Sequence, residues 1–168
     1  MVSFDLDAGL ANMVDAIGGQ IGEPDGNTLL QTTSMSYLVG ESAGRFFLKD
    51  FERNEPPQLV ASSPDPIALQ RLLVVNIGEE YRWQHKMAKI ALPSQVDEIK
   101  EGYETWQSGK HEWMLKRGDS FVPFTSHSGF VHRVVSYSHI ADLPMDALVR
   151  TYTDPQAQPC FPNFLTDR

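Results

Sequence analysis

The 168-residue sequence has one cysteine, Cys160, so the chain cannot form an internal disulfide. Cys160 lies between Pro159 and Phe161, an apolar setting that predicts a buried, unreactive thiol, because reactive thiols need cationic or metal surroundings. The sequence also lacks a run of about eighteen apolar residues, which excludes a membrane-spanning helix. Its acidic first residues do not have the pattern of a secretory signal, and we expect a cytoplasmic protein with no membrane partner.

Basic residues are scarce: 14 Lys and Arg stand against 22 Asp and Glu, for a net charge of −8. Binding to nucleic-acid phosphates needs a basic patch, so this composition argues against a nucleic-acid partner. The negative net charge would instead accelerate association with a basic protein. The alternative is that the charge only keeps the protein soluble. Apolar residues at 41% and charged residues at 21% are typical of a globular protein, and residues 1–168 have the length of one domain.

Catalytic motifs are also lacking. The clustered histidines His127, His132 and His139 are five and seven residues apart, whereas helical zinc sites usually pair histidines four residues apart. The Gly-x-Ser-x-Gly spacing occurs at residues 40–44, but there it forms the predicted turn between two strands and not the strand-to-helix elbow of a nucleophilic serine. The sequence contains no glycine-rich phosphate loop with its lysine. We therefore expect no catalytic residues, no metal and no cofactor, and a protein that is not an enzyme.

What the sequence does contain is a strong hairpin pattern at residues 35–51. β-Branched and aromatic residues flank the small residues 40–44, which is typical of two antiparallel strands joined by a turn. A second hairpin is predicted around a turn at residues 108–110, followed by a short strand in which Pro123 suggests a sheet edge or a strand end. The predicted fold class is α+β, an antiparallel, hairpin-built sheet with about four helices packed on it.

Helical periodicity predicts the first two helices, one over residues 6–17 with Ser3 as its cap, and one that starts at Asp65 and Pro66. Two shorter helices are expected at residues 130–138, with Ser126 or Ser128 as the cap, and at residues 145–151. The basic stretch at residues 81–96 is predicted to be a contact loop or a solvated connector. The tail after residue 154 is expected to be held down by Phe161, Phe164 and Leu165.

The second hairpin carries the side chains best suited to protein contact. Tryptophan and tyrosine are enriched in binding hot spots, and here they alternate with charged residues. The predicted partner-binding residues are Glu104, Trp106, Lys110, His111, Glu112 and Trp113. The alternative is that these aromatic side chains simply fill the core beneath the sheet.

The order of elements resembles that of immunity proteins from bacterial polymorphic toxin systems, and in particular the antitoxin of the mycobacterial tuberculosis necrotizing toxin, an NAD-degrading enzyme. The resemblance lies in the N-terminal helix, the Gly44-Arg45-Phe46-Phe47-Leu48 hairpin, the long helix after Ser63, the Leu92-Pro93 break and the strands and helices that follow. It implies a cytoplasmic antitoxin that binds a cognate secreted toxin, such as an NAD-degrading enzyme, and occludes its active site.

Two other functions are compatible with the sequence. One is a small-molecule binding or hydrolytic domain that uses His127, His132 or Glu104 in a pocket against the sheet. The other is a scaffold subunit of a larger assembly.

Overall fold

The computed structural model describes residues 4–167, in which an eight-stranded antiparallel sheet packs against four α-helices. This confirms the predicted α+β class. The helices are α1 (Ala8–Ala16), α2 (Pro66–Gln84), α3 (His132–Ser138) and α4 (Met145–Thr153). The strands are β1 (Gln20–Gly22), β2 (Thr28–Gln31), β3 (Ser36–Ser42), β4 (Arg45–Phe51), β5 (Gln58–Ser63), β6 (Lys89–Ile90), β7 (Tyr103–Gly109), β8 (Glu112–Arg117), β9 (Ser120–His127) and β10 (Leu165–Thr166).

The large sheet has the strand order β1-β2-β3-β4-β5-β9-β8-β7, and β10 pairs separately with β6. The first five strands are therefore neighbours in sequence order, whereas β9 pairs with β5 from more than fifty residues away and brings β8 and β7 with it. Within residues 4–167, every helix is too short or too polar to cross a lipid bilayer.

Helix starts follow local capping chemistry, with one correction to the sequence prediction. α1 begins at Ala8, later than expected, because the Asp7 carboxylate accepts a hydrogen bond from the Leu10 N–H at 3.1 Å and so caps the helix. The predicted cap, Ser3, lies outside the described residues. α2 begins as predicted, with the Asp65 side chain accepting the Ile67 N–H and Pro66 in the first turn.

α2 continues to Gln84, so the first part of the predicted basic loop is helical. Arg82, expected in a loop or connector, is fully buried. Its guanidinium donates to the backbone carbonyls of Ala88, Asp154 and Pro155 at 2.7, 2.6 and 3.1 Å. These bonds tie the end of α2 to the segment after α4, and the prediction of a solvated arginine was wrong because the partners are distant backbone groups.

Both predicted hairpins are present, with tighter turns than expected. Ala43 and Gly44 alone connect β3 to β4, with φ of 51° and 74°, the signs that a type I′ turn requires. Likewise Ser108 and Gly109 belong to β7, so the connection to β8 is Lys110 and His111.

β9 differs most from its prediction. It is eight residues long and lies between β5 and β8, so Pro123 marks neither an edge nor a strand end. The proline is tolerated because β5 pairs with β9 only through Ser126 and Thr125, and the register against β8 shifts next to it. Ser126 is buried in this strand and cannot cap α3. Ser128 accepts the Phe130 N–H but does not cap α3 either, because the helix starts at His132 after Val131 and has no side-chain cap.

The C-terminal tail is ordered and packed, as expected. Phe161 is buried, while Phe164 and Leu165 pack on the core, where Leu165 pairs with Ile90. Cys160 is half-buried rather than buried, with its sulfur 3.8 Å from the Ala147 carbonyl oxygen.

The two faces of the sheet differ in what covers them. One face packs under the helices through fully buried side chains that include Leu30, Val39, Leu48, Ala61 and Leu115. Because paired residues on antiparallel strands share a face, the register also aligns a row on the other face. We call this second face the open face. The aligned row on it consists of Gly40, Phe47, Ser62, Thr125, Met114 and Trp106.

Candidate functional site

The tip of the β7–β8 hairpin borders a concave surface of the sheet. It is an open groove of about 790 Å³ between the hairpin tip, the start of β5 and the end of β9. The lining residues are Gln58, Leu59, Gly109, Lys110, His111, Glu112, His127, Ser128 and Gly129. Three of the six predicted partner-binding residues, Lys110, His111 and Glu112, are therefore exposed and meet at one site.

The two predicted tryptophans point to opposite faces of the hairpin. Trp106 pairs with Met114 on the open face and contacts the ring of Phe121 edge-on, with centroids 5.7 Å apart. Phe121 is 72% exposed, so this aromatic pair is accessible. Trp113 instead packs partly on the core, where its indole Nε1 is buried without a hydrogen-bond partner among the described residues. Trp113 therefore has the place of a structural residue, as the alternative reading of the aromatics expected.

Glu104 lies away from the groove. Its carboxylate forms an exposed salt bridge with Lys116 at 2.8 Å. Lys116 is four residues from Glu112 along β8, or about 13 Å for an extended strand. Of the six predicted residues, three therefore lie together at the groove. Glu104 and Trp106 lie at separate positions along the hairpin, and Trp113 faces the core.

A chain of polar side chains crosses the open face beside the groove. The Nδ1 of His127 lies 3.9 Å from the Glu112 carboxylate, and its Nε2 lies 2.9 Å from the Ser62 Oγ. The Nη2 of Arg45 contacts the hydroxyls of Ser62 and Thr125 at 3.4 and 3.3 Å. These contacts join β4, β5, β8 and β9 in one cluster.

Burial lowers the pKa of His127, and the nearby cations Arg45 and Arg133 lower it further, while Glu112 opposes them. The imidazole is therefore neutral at neutral pH, so Arg45 supplies the positive charge of the cluster. Sequence reasoning missed Arg45, Ser62 and Thr125, because only the pairing of β5 with β9 places them beside His127.

The chain matches the sequence model of the family Immunity protein 61 over residues 14–160. It belongs to that family. This membership confirms the predicted resemblance to immunity proteins. Among solved structures, Rv3902c from M. tuberculosis has the same fold, with a TM-score of 0.82, 96% coverage of each chain and 18% sequence identity. No curated protein matches the chain.

In this Immunity protein 61 member, Glu112 lies next to His127 and His127 next to Ser62, the same sequence of acid, histidine and serine as in a hydrolase triad. The geometry suits binding better than acyl transfer. Ser62 lies in mid-sheet, paired with Phe47 and Thr125 on its two sides, rather than on the sharp turn that presents a nucleophilic serine. The 3.9 Å separation of Glu112 and His127 also exceeds a hydrogen bond.

The histidines do not form a joint site in this family member. His132 starts α3 and lines a separate cavity of about 200 Å³ between α2 and α3. His139 directly follows α3, and its Nε2 lies 2.9 Å from the Glu98 carbonyl oxygen. The structure thus does not assemble His127, His132 and Glu104 into one pocket. Within residues 4–167, His, Cys, Asp and Glu side chains form no cluster of three that could hold a metal ion.

Proposed function

We propose that this Immunity protein 61 member is a cytoplasmic antitoxin that binds a cognate secreted toxin domain and occludes its active site. The observation that carries the proposal is the open face, a sheet surface that the four helices leave uncovered. Phe47, Met114 and Trp106 lie on it in one row, and Leu59 and Phe121 on the same face are 42% and 72% exposed. Exposed apolar side chains grouped on one face are typical of protein-binding surfaces.

The chemistry of this surface fits a protein partner. A stable complex buries about 1,600 Å² in total, with a few central anchors surrounded by polar groups. Trp106 and Phe121 are suited to be anchors, while Lys110, His111 and Glu112 supply polar groups at the groove. We propose that these residues contact the toxin, with Glu104 at the far edge of the interface and Trp113 supporting the hairpin from the core side.

The proposal extends to the chemistry of the toxin. The resemblance to the antitoxin of an NAD-degrading toxin supports a partner that degrades NAD. Residues 1–168 would act as one immunity domain that needs no cofactor and performs no catalysis of its own.

Co-expression with a candidate toxin domain from a neighbouring gene tests the proposal. We expect the antitoxin to restore growth, to co-purify with the toxin and to preserve cellular NAD, since a covered active site cannot turn over substrate. Growth arrest with no complex would contradict the antitoxin role. Rescue by a tight complex with a toxin that leaves NAD intact in its free form would contradict only the NAD chemistry.

A further inference from the structure

We propose that Arg45, held in place by Ser62, Thr125 and His127, receives the carboxylate of one aspartate or glutamate side chain of the toxin. This inference rests on the proposed function and adds the chemistry of one contact to it.

Arg45 is a cation without an anionic partner in the described part of the chain. It is exposed at the start of β4, and its guanidinium donates hydrogen bonds to the neutral hydroxyl oxygens of Ser62 and Thr125. None of the salt bridges within residues 4–167 includes it. A guanidinium has five N–H donors, so the two hydroxyl contacts of Nη2 leave donors available to a partner.

The neighbouring side chains orient Arg45. Thr125 is 95% buried, accepts from Arg45 and donates its own hydroxyl proton to the sulfur of Met114, at 3.1 Å. Ser62 accepts from Arg45 and can donate to the Nε2 of the neutral His127. Both hydroxyl oxygens are thereby free to accept from Nη2, which holds the guanidinium against the sheet before a partner arrives. Such preorganisation reduces the entropy lost on binding.

The surroundings of Arg45 explain why its partner must be anionic. Phe47, Leu59 and Met114 share the open face with it, so a toxin seated there would exclude water from the guanidinium. An uncompensated buried charge is strongly unfavourable, whereas a carboxylate can accept two parallel N–H bonds from arginine. A polyanion such as nucleic acid is disfavoured by the net charge of −8 and by Glu112 beside the cluster.

The local positive site is compatible with the negative field of the whole molecule. The field acts at long range and would attract a basic toxin, while Arg45 acts only at contact distance. A single acidic residue within an otherwise basic toxin surface would then fix the orientation in which the toxin docks on the open face. Charged pairs at interfaces commonly contribute such specificity.

The test compares Arg45→Gln with Arg53→Gln, a matched change of charge at an exposed arginine just beyond β4. The dissociation constant of the purified toxin domain is measured for both variants and the unaltered antitoxin by surface plasmon resonance. We expect Arg45→Gln to raise the dissociation constant about 30-fold or more, mostly through faster dissociation. Arg53→Gln should change it less than about threefold, because an exposed charge off the interface contributes little.

Charge reversal identifies the partner residue. Arg45→Glu should abolish binding, and exchange of one toxin aspartate or glutamate for lysine should restore it. Equal, small effects of Arg45→Gln and Arg53→Gln on a complex that still forms would overturn this inference and leave the antitoxin role standing. If the unaltered chain does not bind the toxin, the proposed function itself fails. If Arg45→Gln does not fold, Arg45→Lys replaces it in the test, because lysine keeps the positive charge but cannot bind a carboxylate through two parallel N–H bonds. Unchanged binding by Arg45→Lys would also overturn the inference.

Discussion

The ring of Tyr152 lies directly against Gly78 at the crossing of α4 and α2. A Cβ atom at position 78 would overlap the Cβ, Cγ and Cδ1 atoms of the tyrosine. Tyr152 is fully buried, and burial raises the pKa of its phenol well above the usual value, so the ring stays neutral. The absence of a side chain at Gly78 therefore sets how closely the two helices approach.

Gly78→Ala should destabilise the protein by about 1–3 kcal/mol, because the methyl group forces α4 away from α2. The higher helix propensity of alanine offsets at most about 1 kcal/mol of that effect. Urea unfolding followed by circular dichroism measures the change. Gly22→Ala is the control, since nothing lies within 4 Å of a Cβ there. Equal stability of the two variants would show that the helices can separate without penalty.

Arg82→Met should destabilise the fold by about 3 kcal/mol or more, because backbone carbonyl oxygens of two segments together lose the buried guanidinium that donates to them. Arg82→Lys should also destabilise it, since an ammonium group cannot reproduce the planar fork. Thermal unfolding measures both variants. Arg150→Met, which removes only an exposed ion pair with Asp146, should cost about 0.5 kcal/mol or less. A melting temperature for Arg82→Met as high as that of Arg150→Met would contradict this account.

Glu80 gives the protein a pH-dependent contribution to stability. Partial burial acts to raise the pKa of Glu80, but hydrogen bonds from Thr32, Thr33 and Ser34 outweigh it, and the pKa is lowered from its usual 4.5. A lowered folded-state pKa stabilises the fold above the unfolded-state pKa, and the contribution disappears as pH falls through the folded-state pKa.

Thr33→Val combined with Ser34→Ala should therefore lower stability at pH 7, by less than about 1 kcal/mol because solvent screens Glu80. The difference from the unaltered protein should shrink as the pH falls below 4.5. Urea unfolding at a series of pH values measures it. A difference that stays constant down to pH 2 would assign the loss to packing instead of charge.

Trp106→Ala and Trp113→Ala should separate binding from stability. Trp106→Ala removes an open-face anchor and should weaken toxin binding about 30-fold, with about 1 kcal/mol or less lost in stability. Trp113→Ala should mainly destabilise the protein, by about 2–3 kcal/mol, because its ring packs on the core. Titration calorimetry and thermal unfolding measure the two quantities. If toxin affinity changes neither on altering Trp106 nor on altering Lys110, the hairpin has no role in the interface.

The association rate with the toxin should fall about tenfold between low salt and 0.5 M NaCl, because a net charge of −8 steers a basic partner only when unscreened. Stopped-flow fluorescence measures the rate, and the dissociation rate serves as the internal control. An association rate that does not vary with salt would remove electrostatic steering from the description of this protein.

The structure brings the predicted partner-binding residues together only where they are close in sequence. Lys110, His111 and Glu112 follow one another at a hairpin tip, and the turn pattern alone placed them together at what proved to be the groove. Arg45 and Ser62 could not be added to them from the sequence. Their side-chain contacts, from Arg45 to Thr125 and from Ser62 to His127, join residues more than sixty positions apart in the sequence.

The sequence by itself determined the local elements of this protein. The Asp65 cap followed by Pro66, and the Ala43-Gly44 turn between apolar strands, depend only on interactions between nearby residues. The tertiary structure alone decided that β9 inserts between β5 and β8, that Arg82 is buried and that one sheet face is left open. These features arise from contacts between distant segments, whose pairing depends on the packing of the whole chain and not on any local pattern.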